Sequence, residues 1–258
     1  MKLAWERRGG GEPLLLIHGL GYARWGWEPV LPALAERFDV LLFDNRGIGE
    51  SDAPPCPYSA AEMAADAIRV LDEGEVERAH VVGTSLGGMV AQELALASPE
   101  RVDRLVLACT TPGGPRAYPM PQVTVDLMTE AASLAPEVAL RRFVENALAP
   151  ATVATRPELV ERIMAHRLRT AQAPAAWAAQ AAAGAAFDAH DRLAGIRAPA
   201  LVQHGSEDVV IDPRNGELLA ERLPQARLER FPGTGHLFFW EQPERFVASV
   251  ASFLEDQG

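Results

Sequence analysis

HVVGTSLGGMV, residues 80 to 90, decides the fold: an apolar run stops at five small residues around one leucine, and a second apolar run begins. Gly83-Thr84-Ser85-Leu86-Gly87 fits G-x-S-x-G, a sharp strand-to-helix turn that holds a serine hydroxyl out at the top of a sheet. The demand is steric. The serine takes a strained backbone, and the positions two before and two after it must be very small for strand and helix to approach. HVVG before it is a strand candidate, and GGMVAQELAL after it has a helical pattern. No lysine follows the glycines, so a phosphate-binding loop is disfavoured.

The same alternation extends on both sides. Short continuous apolar runs (PLLLIHG, FDVLLFD, AHVVG, DRLVLACT) are separated by longer amphipathic stretches from Pro13 to Thr110, and the pattern returns as PALVQHG, LLAERLPQ, ARLERFPG and EQPERFVASVASFLED. Continuous apolar strands are buried on both faces, and strands alternating with helices make a mostly parallel sheet flanked by helices. The fold class is therefore α/β. Between about Thr111 and Arg192 the strand signal vanishes, and helical patterns broken by prolines replace it: QVTVDLMTEAA, PEVALRRFVENAL, RPELVERIMAHRLR and PAAWAAQAAAGAAF. The expected organisation is a core of residues 1–111 and 192–258 with a helical lid, 112–191, inserted between core strands. The alanine-rich piece in the lid is read as helix propensity alone.

Composition sets the outer limits. The 258 residues are 48% hydrophobic and 23% charged, as in an ordinary soluble globular chain. A net charge of −11 argues against nucleic acid or an anionic membrane as partner. Cys56 and Cys109 stand alone, so neither a disulfide framework nor a metal site is expected. The opening MKLAWERRGG lacks the apolar core of a signal peptide, and LLLI is far too short to span a membrane, so a cytoplasmic protein is expected.

A serine hydroxyl attacks only when a base removes its proton and an acid orients that base. Of the six histidines, His80 lies in the strand before the serine, His166 and His190 read as surface or interface residues, and His18 and His204 end strands as structural residues. His236 differs: it follows the glycines of FPGTGHLFFWEQPERF, after a late strand and before the final helix. For the acid, HGSEDVVIDP offers Asp208, with Glu207 and Asp212 as competitors; Asp212, before Pro213, also suits a helix start. The order Ser85, Asp208, His236 is that of the strand-elbow hydrolases. Charge on an attacked carbonyl oxygen needs donors. The backbone N–H groups of Leu86 and of Leu20, in His18-Gly19-Leu20-Gly21, are the candidates.

With these residues assembled, the chain resembles the α/β-hydrolase superfamily over essentially its whole length. The resemblance rests on HGLG (18 to 21), DNRGIGESD (44 to 52), GTSLGG (83 to 88), GSED (205 to 208) and GTGH (233 to 236). Within the superfamily it is most similar to the lidded group of carboxylesterases and 3-oxoadipate enol-lactonases, through HGLG, SLGGMVAQ and GHLFFWEQPERF. This resemblance implies a helical lid, no cofactor and ester or lactone substrates. Asp44 and Arg46 are expected to hold loops together. The group often opens with a β-hairpin, whereas only KLAWERRG precedes the first apolar strand here, so one edge strand is expected to be missing.

The sequence thus points to a serine hydrolase acting through an acyl-enzyme on carboxylic esters of small to medium, uncharged, hydrophobic substrates. Trp25 and Phe238 are candidate pocket residues, with packing of lid against core as the competing role. Enol-lactone hydrolysis, C–C bond hydrolysis, perhydrolysis, and slow-turnover sensing of a small molecule share the same triad and stay open. The expected partner is a small-molecule ester, bound by a monomer or homodimer.

Overall fold

The computed structural model describes residues 1–170 and 172–256. Its strands are β1 (Trp5–Gly9), β2 (Glu12–Ile17), β3 (Phe38–Phe43), β4 (Ala79–Thr84), β5 (Val102–Ala108), β6 (Ala200–Gly205) and β7 (Ala226–Phe231). They form one sheet in the order β1-β3-β2-β4-β5-β6-β7. Only β1 runs antiparallel, to β3; every other neighbouring pair is parallel. The N-terminal segment thus supplies a single edge strand.

The continuous apolar runs are explained by what lies on the two faces. Alternate side chains leave opposite sides of a strand. Leu15, Ile17, Leu41, Val81, Leu105 and Leu107 enter one core, shared with α2 (Ala60–Glu73) and α3 (Leu86–Ala97), while Leu14, Leu16, Val40, Leu42, Val82 and Val106 enter another. That second core is closed by the aromatic tail of the chain and by the short α1 (Leu31–Ala35). With nearly every residue of β2, β3 and β4 buried on one face or the other, no polar alternation is possible there. α2 starts on a serine N-cap: the Ser59 side chain accepts from the Glu62 backbone N–H at 3.2 Å, and its hydroxyl donates to the Glu62 carboxylate at 2.8 Å.

Between β5 and β6 the described residues make five α-helices and no strand of the sheet: α4 (Gln122–Ala131), α5 (Pro136–Asn146), α6 (Pro150–Thr155), α7 (Pro157–Arg169) and α8 (Pro174–Ala185). Four of them open on a proline, whose missing N–H and fixed φ cost nothing in a first turn. The short α6 carried no periodicity long enough to be recognised beforehand. The two feet of the insertion meet where Gly113 bridges to Asp188 and the Ala189 N–H donates to the Pro112 carbonyl at 2.8 Å. The chain ends with α9 (Arg214–Arg222), the one-turn α10 (Phe238–Glu241) and α11 (Pro243–Leu254). Among the described residues no helix is long and apolar enough to cross a membrane.

This order creates a switch point. From β2 the chain moves to β3 on one side, then crosses to β4 on the other, so the C-terminal ends of β2 and β4 open a crevice of the kind where ligands bind in such sheets. HGLG follows β2 and Ser85 follows β4.

Candidate active site

Ser85 has φ 53° and ψ −121°, a backbone that side-chain-bearing residues avoid. Its neighbours hold it there. The Ser85 N–H donates to the Ala108 carbonyl at 2.9 Å, and the Ser85 carbonyl accepts from the Thr110 hydroxyl at 2.8 Å. The two glycines of the motif are needed for separate reasons: a Cβ on Gly83 would lie 2.4 Å from the Gly87 carbonyl oxygen, and one on Gly87 would lie 2.1 Å from the Ile17 carbonyl oxygen. Strand-to-helix approach sets the first and helix-to-β2 approach the second.

The loop after β2 comes against the serine. A Cβ on Gly19 would fall 2.9 Å from the Ser85 Cβ and 3.5 Å from its Oγ. Among the described residues, neither the Leu20 nor the Leu86 backbone N–H is taken up by another hydrogen bond. His18 fixes this loop: its Nδ1 accepts from the Gly19 N–H at 2.7 Å, and its carbonyl accepts from the Asn45 side chain at 2.8 Å. Burial pushes the His18 imidazole down to about 3, helped by the nearby His236 and Arg167 charges, so the ring is neutral near pH 7.

Asp208 and His236 are brought together, His236 Nδ1 lying 2.8 Å from Asp208 Oδ2. The other carboxylate oxygen accepts from the backbone N–H groups of Val210 at 2.8 Å and Ile211 at 3.0 Å. Burial opposes ionisation of Asp208, but the facing imidazoles of His236 and His204 outweigh it and hold the carboxyl well below the usual aspartate range. Of the competing acids, Glu207 is exposed, and Asp212 is engaged elsewhere. Its Oδ1 accepts from the Arg214 N–H at 3.0 Å and its carboxylate pairs with the Arg214 guanidinium, so it serves the start of α9. Cys109, just past β5, lies within reach of both ends of the site: the Ser85 backbone and the Asp208 charge bear on its thiol, which burial drives well up.

The flanks of His236 are tied down. The Gly235 N–H donates to Glu241 Oε1 at 2.6 Å, and the Leu237 N–H donates to the Ala147 carbonyl at 2.9 Å. Glu241 also accepts from the Ala149 N–H at 3.2 Å and from the Thr152 hydroxyl, so one buried carboxylate joins the histidine loop to the inserted helices.

The two pocket candidates have other surroundings. Phe238 is fully buried, its ring centroid 4.5 Å from Phe231 and 5.8 Å from Phe246, and presents no surface to a substrate. It is a core residue that fastens α11 to the sheet. Trp25 stacks on His166 of α7 with centroids 4.8 Å apart and planes 6° apart, which commits its ring to the contact between insertion and core. The other expectations for histidines fit their places: His80 lies 3.1 Å from Glu12 at the opposite end of the sheet, and His166 pairs with Glu28. Asp44 and Arg46 hold loops, Asp44 accepting from Arg24 and Glu50 and Arg46 donating to Asp66 at 2.6 Å.

Three residues bear on the site without a catalytic part in the sequence reading, His204 having been read there as a structural residue at a strand end. Besides Glu241, His204 Nε2 lies 3.0 Å from Asp208 Oδ2. Arg167, on α7, donates to the Gly21 carbonyl and lies over the Tyr22 ring, 5.1 Å from its centroid. Among the described residues this guanidinium has no carboxylate partner, and burial pulls its pKa down. Only side-chain geometry reveals these roles. A groove of about 420 Å³ opens between Val123, Asn146, Leu148, Val153 and Val209, the last directly after Asp208 in the chain. Among the described residues no cluster of three or more His, Cys, Asp or Glu side chains could hold a metal ion.

The site can be set beside known proteins. The family model described as the α/β hydrolase fold matches residues 12–243. A relative from Azorhizobium caulinodans that bears the provisional name carbamate hydrolase RutD is 32% identical over 252 residues, covering 97% of this chain and 94% of that protein. A solved thermophilic esterase from Thermogutta terrifontis, with malate bound, is 29% identical with a TM-score of 0.85, covering 98% of this chain and 92% of its own. The solved enol-lactonase from Burkholderia xenovorans is 26% identical with a TM-score of 0.87, covering 98% and 96%.

Proposed function

Because the chain belongs to the α/β-hydrolase fold family, whose model spans residues 12–243, we propose that this hydrolase cleaves carboxylic esters through an acyl-enzyme on Ser85. The observation that carries the reading is the strained Ser85 backbone, φ 53°, held at the switch point by hydrogen bonds from the end of β5. Strain at a serine serves no packing purpose there; it keeps the hydroxyl forward of the sheet.

In this reading Asp208 accepts the Nδ1 proton of His236, which leaves Nε2 as the base. His236 Nε2 takes the Ser85 proton as Oγ attacks the ester carbonyl carbon. The charge on the carbonyl oxygen is received by the N–H groups of Leu20 and Leu86, each such donor being worth about 10²–10³ in kcat. The intermediate collapses, the C–O bond to the alcohol breaks, and the alcohol leaves with the proton from His236. Water then repeats the sequence: His236 takes its proton, the hydroxide attacks the acyl carbon, and the acid departs as Ser85 regains its hydrogen. The helices of residues 112–191 act as a lid over a core of residues 1–111 and 192–258, and the family likeness to an esterase and an enol-lactonase supports ester or lactone substrates.

The apolar character of the insertion supports small to medium, uncharged esters. Arg167 favours a second reading, in which the substrate carries a carboxylate. A guanidinium without a carboxylate partner, buried against the loop after β2, suits an anionic group on the substrate. The related esterase was solved with malate, a dicarboxylate. Rates on a neutral p-nitrophenyl ester and on a half-ester of a dicarboxylic acid, beside lactone, carbamate and amide substrates, separate these readings. A preference for the half-ester that disappears in Arg167→Gln selects the second. Multiple turnovers per site that vanish in Ser85→Ala support the acyl-enzyme, whereas a single slow turnover points to a sensor. Full activity in Ser85→Ala removes the proposal.

A further inference from the structure

Asp208 is shared by two imidazoles, and only one of them is needed to take the serine proton. We propose, building on the acyl-enzyme reading above, that His204 is a positioning residue for catalysis: it donates a second hydrogen bond to the same Asp208 oxygen that holds His236, fixing the carboxylate and weakening His236 as a base. The juxtaposition that points to this is the geometry around Oδ2, with His236 Nδ1 at 2.8 Å and His204 Nε2 at 3.0 Å.

The protonation of His204 is determined by its surroundings. Its Nε2 faces two acceptors, the ionised Asp208 and the Ile211 carbonyl at 3.1 Å, and must carry hydrogen to approach both. Its Nδ1 is buried without a hydrogen-bond partner among the described residues, and the Gly216 backbone packs on it; a Cβ there would lie 3.0 Å away. A second proton on Nδ1 would be stranded, so the ring is the neutral Nε2–H tautomer. Asp208 then accepts four N–H groups, from Val210, Ile211, His204 and His236, which fills the lone-pair sites of a carboxylate. Its charge is spread over all four. An imidazolium at position 236 gains less from such a carboxylate than from one it holds alone.

The other groups facing this pair do not override the effect. His18 is neutral near pH 7, the Cys109 thiol is kept protonated by burial, and Asp212 is paired with Arg214. Arg167 lies over Tyr22, which stacks on His18, and lowers the pKa of that imidazole. Removing the His204 donor concentrates the Asp208 charge on His236, which favours the imidazolium and raises the pH below which the base is lost.

The test uses p-nitrophenyl acetate and the full chain. For His204→Leu, kcat falls about tenfold, KM stays within about twofold, and the acid limb of kcat/KM moves to higher pH by about half a unit to one unit. His204→Gln, which keeps a donor, restores part of the limb. A fall in kcat with the acid limb unmoved, or no change at all, overturns the proposal. A second measurement needs no variant: in ¹⁵N-labelled wild-type protein at pH 7, the His204 ring shows hydrogen on Nε2 only. A ring with hydrogen on Nδ1 contradicts the assignment. Failure of the acyl-enzyme reading would show separately, as activity surviving in Ser85→Ala.

Discussion

Around Ser85 the atoms that limit the chain most closely are backbone atoms: a side chain at Gly83 or Gly87 would run into carbonyl oxygens at 2.4 Å and 2.1 Å. The inserted helices pack apolar residues such as Ile163 and Met164 on the core, and their polar ties to it run through the far ends of long side chains. Arg162 and His166 close on Glu28, Arg167 reaches Gly21, and Gln180 donates to the Arg46 carbonyl at 2.7 Å. Hard-sphere limits at the elbow tolerate one residue type, glycine, and leave a mark that a short motif can capture. Side-chain ends can rearrange, and many sequences would supply equivalent contacts. The elbow is therefore rigid and legible, while the insertion is adjustable and nearly silent. The same difference suits a hydrolase whose chemistry is fixed and whose substrate choice varies among relatives.

The sharpest way to break this comparison is at Gly87. Gly87→Ala drives a methyl group into the Ile17 carbonyl, with no flexible side chain to move aside. A loss of more than about 3 kcal/mol in denaturant unfolding, or failure to accumulate folded protein, is expected. A change below about 1 kcal/mol would mean that the elbow yields like the insertion.

Next in size is the choice between two acids of the same stretch, Asp208 and Asp212. Asp208→Ala lowers kcat by about 10³–10⁴, since His236 loses its Nδ1 acceptor. Asp212→Ala, which breaks only a pair at the start of α9, leaves kcat within about twofold. Stability carries a matching signature. The Asp208 pKa is depressed in the folded protein, so its contribution is fully present above about pH 4, the unfolded value, and is lost as pH falls toward the lower folded value. Asp208→Asn therefore flattens the acid arm of the stability–pH curve relative to wild type; an unchanged acid arm would contradict the buried, ionised carboxylate.

The smallest effect is expected in the insertion. Glu28→Gln removes an exposed contact to Arg162 and weakens the one to His166, and costs no more than about 1 kcal/mol. A cost of several kcal/mol in thermal unfolding would make that contact as rigid as the elbow.

Much of this was legible in the residues themselves. The runs that became β2 to β7, the helices that follow them, and the placement of Ser85 at a strand-to-helix turn follow from burial on both sheet faces and from glycine sterics. Four of the five α-helices described in the insertion were visible because a periodic apolar stripe or an alanine-rich run marks them; the six-residue α6 opens on Pro150 but is too short for either. The alanine-rich stretch carried more than helix propensity: Ala179 and Ala183 of α8 are buried with Leu86 and Met89, and their small size lets the helix lie close over the residues after the serine. Phe238 was misplaced because an aromatic beside a histidine looks the same in sequence whether it faces a pocket or, as here, Phe231 and Phe246. The contacts of His204, Arg167 and Glu241 around the site were not legible for a shared reason. Each acts through the direction of a polar side-chain end, which no spacing rule encodes.

The central claim, that Ser85 is the nucleophile of an acyl transfer, is tested most directly by covalent capture. The protein is treated with a p-nitrophenyl organophosphate ester, and its intact mass and proteolytic peptides are measured beside the loss of esterase activity. The account predicts one adduct per chain, on Ser85, forming in step with inactivation and absent from Ser85→Ala. An adduct on another residue, or complete inactivation with Ser85 unmodified, would contradict it.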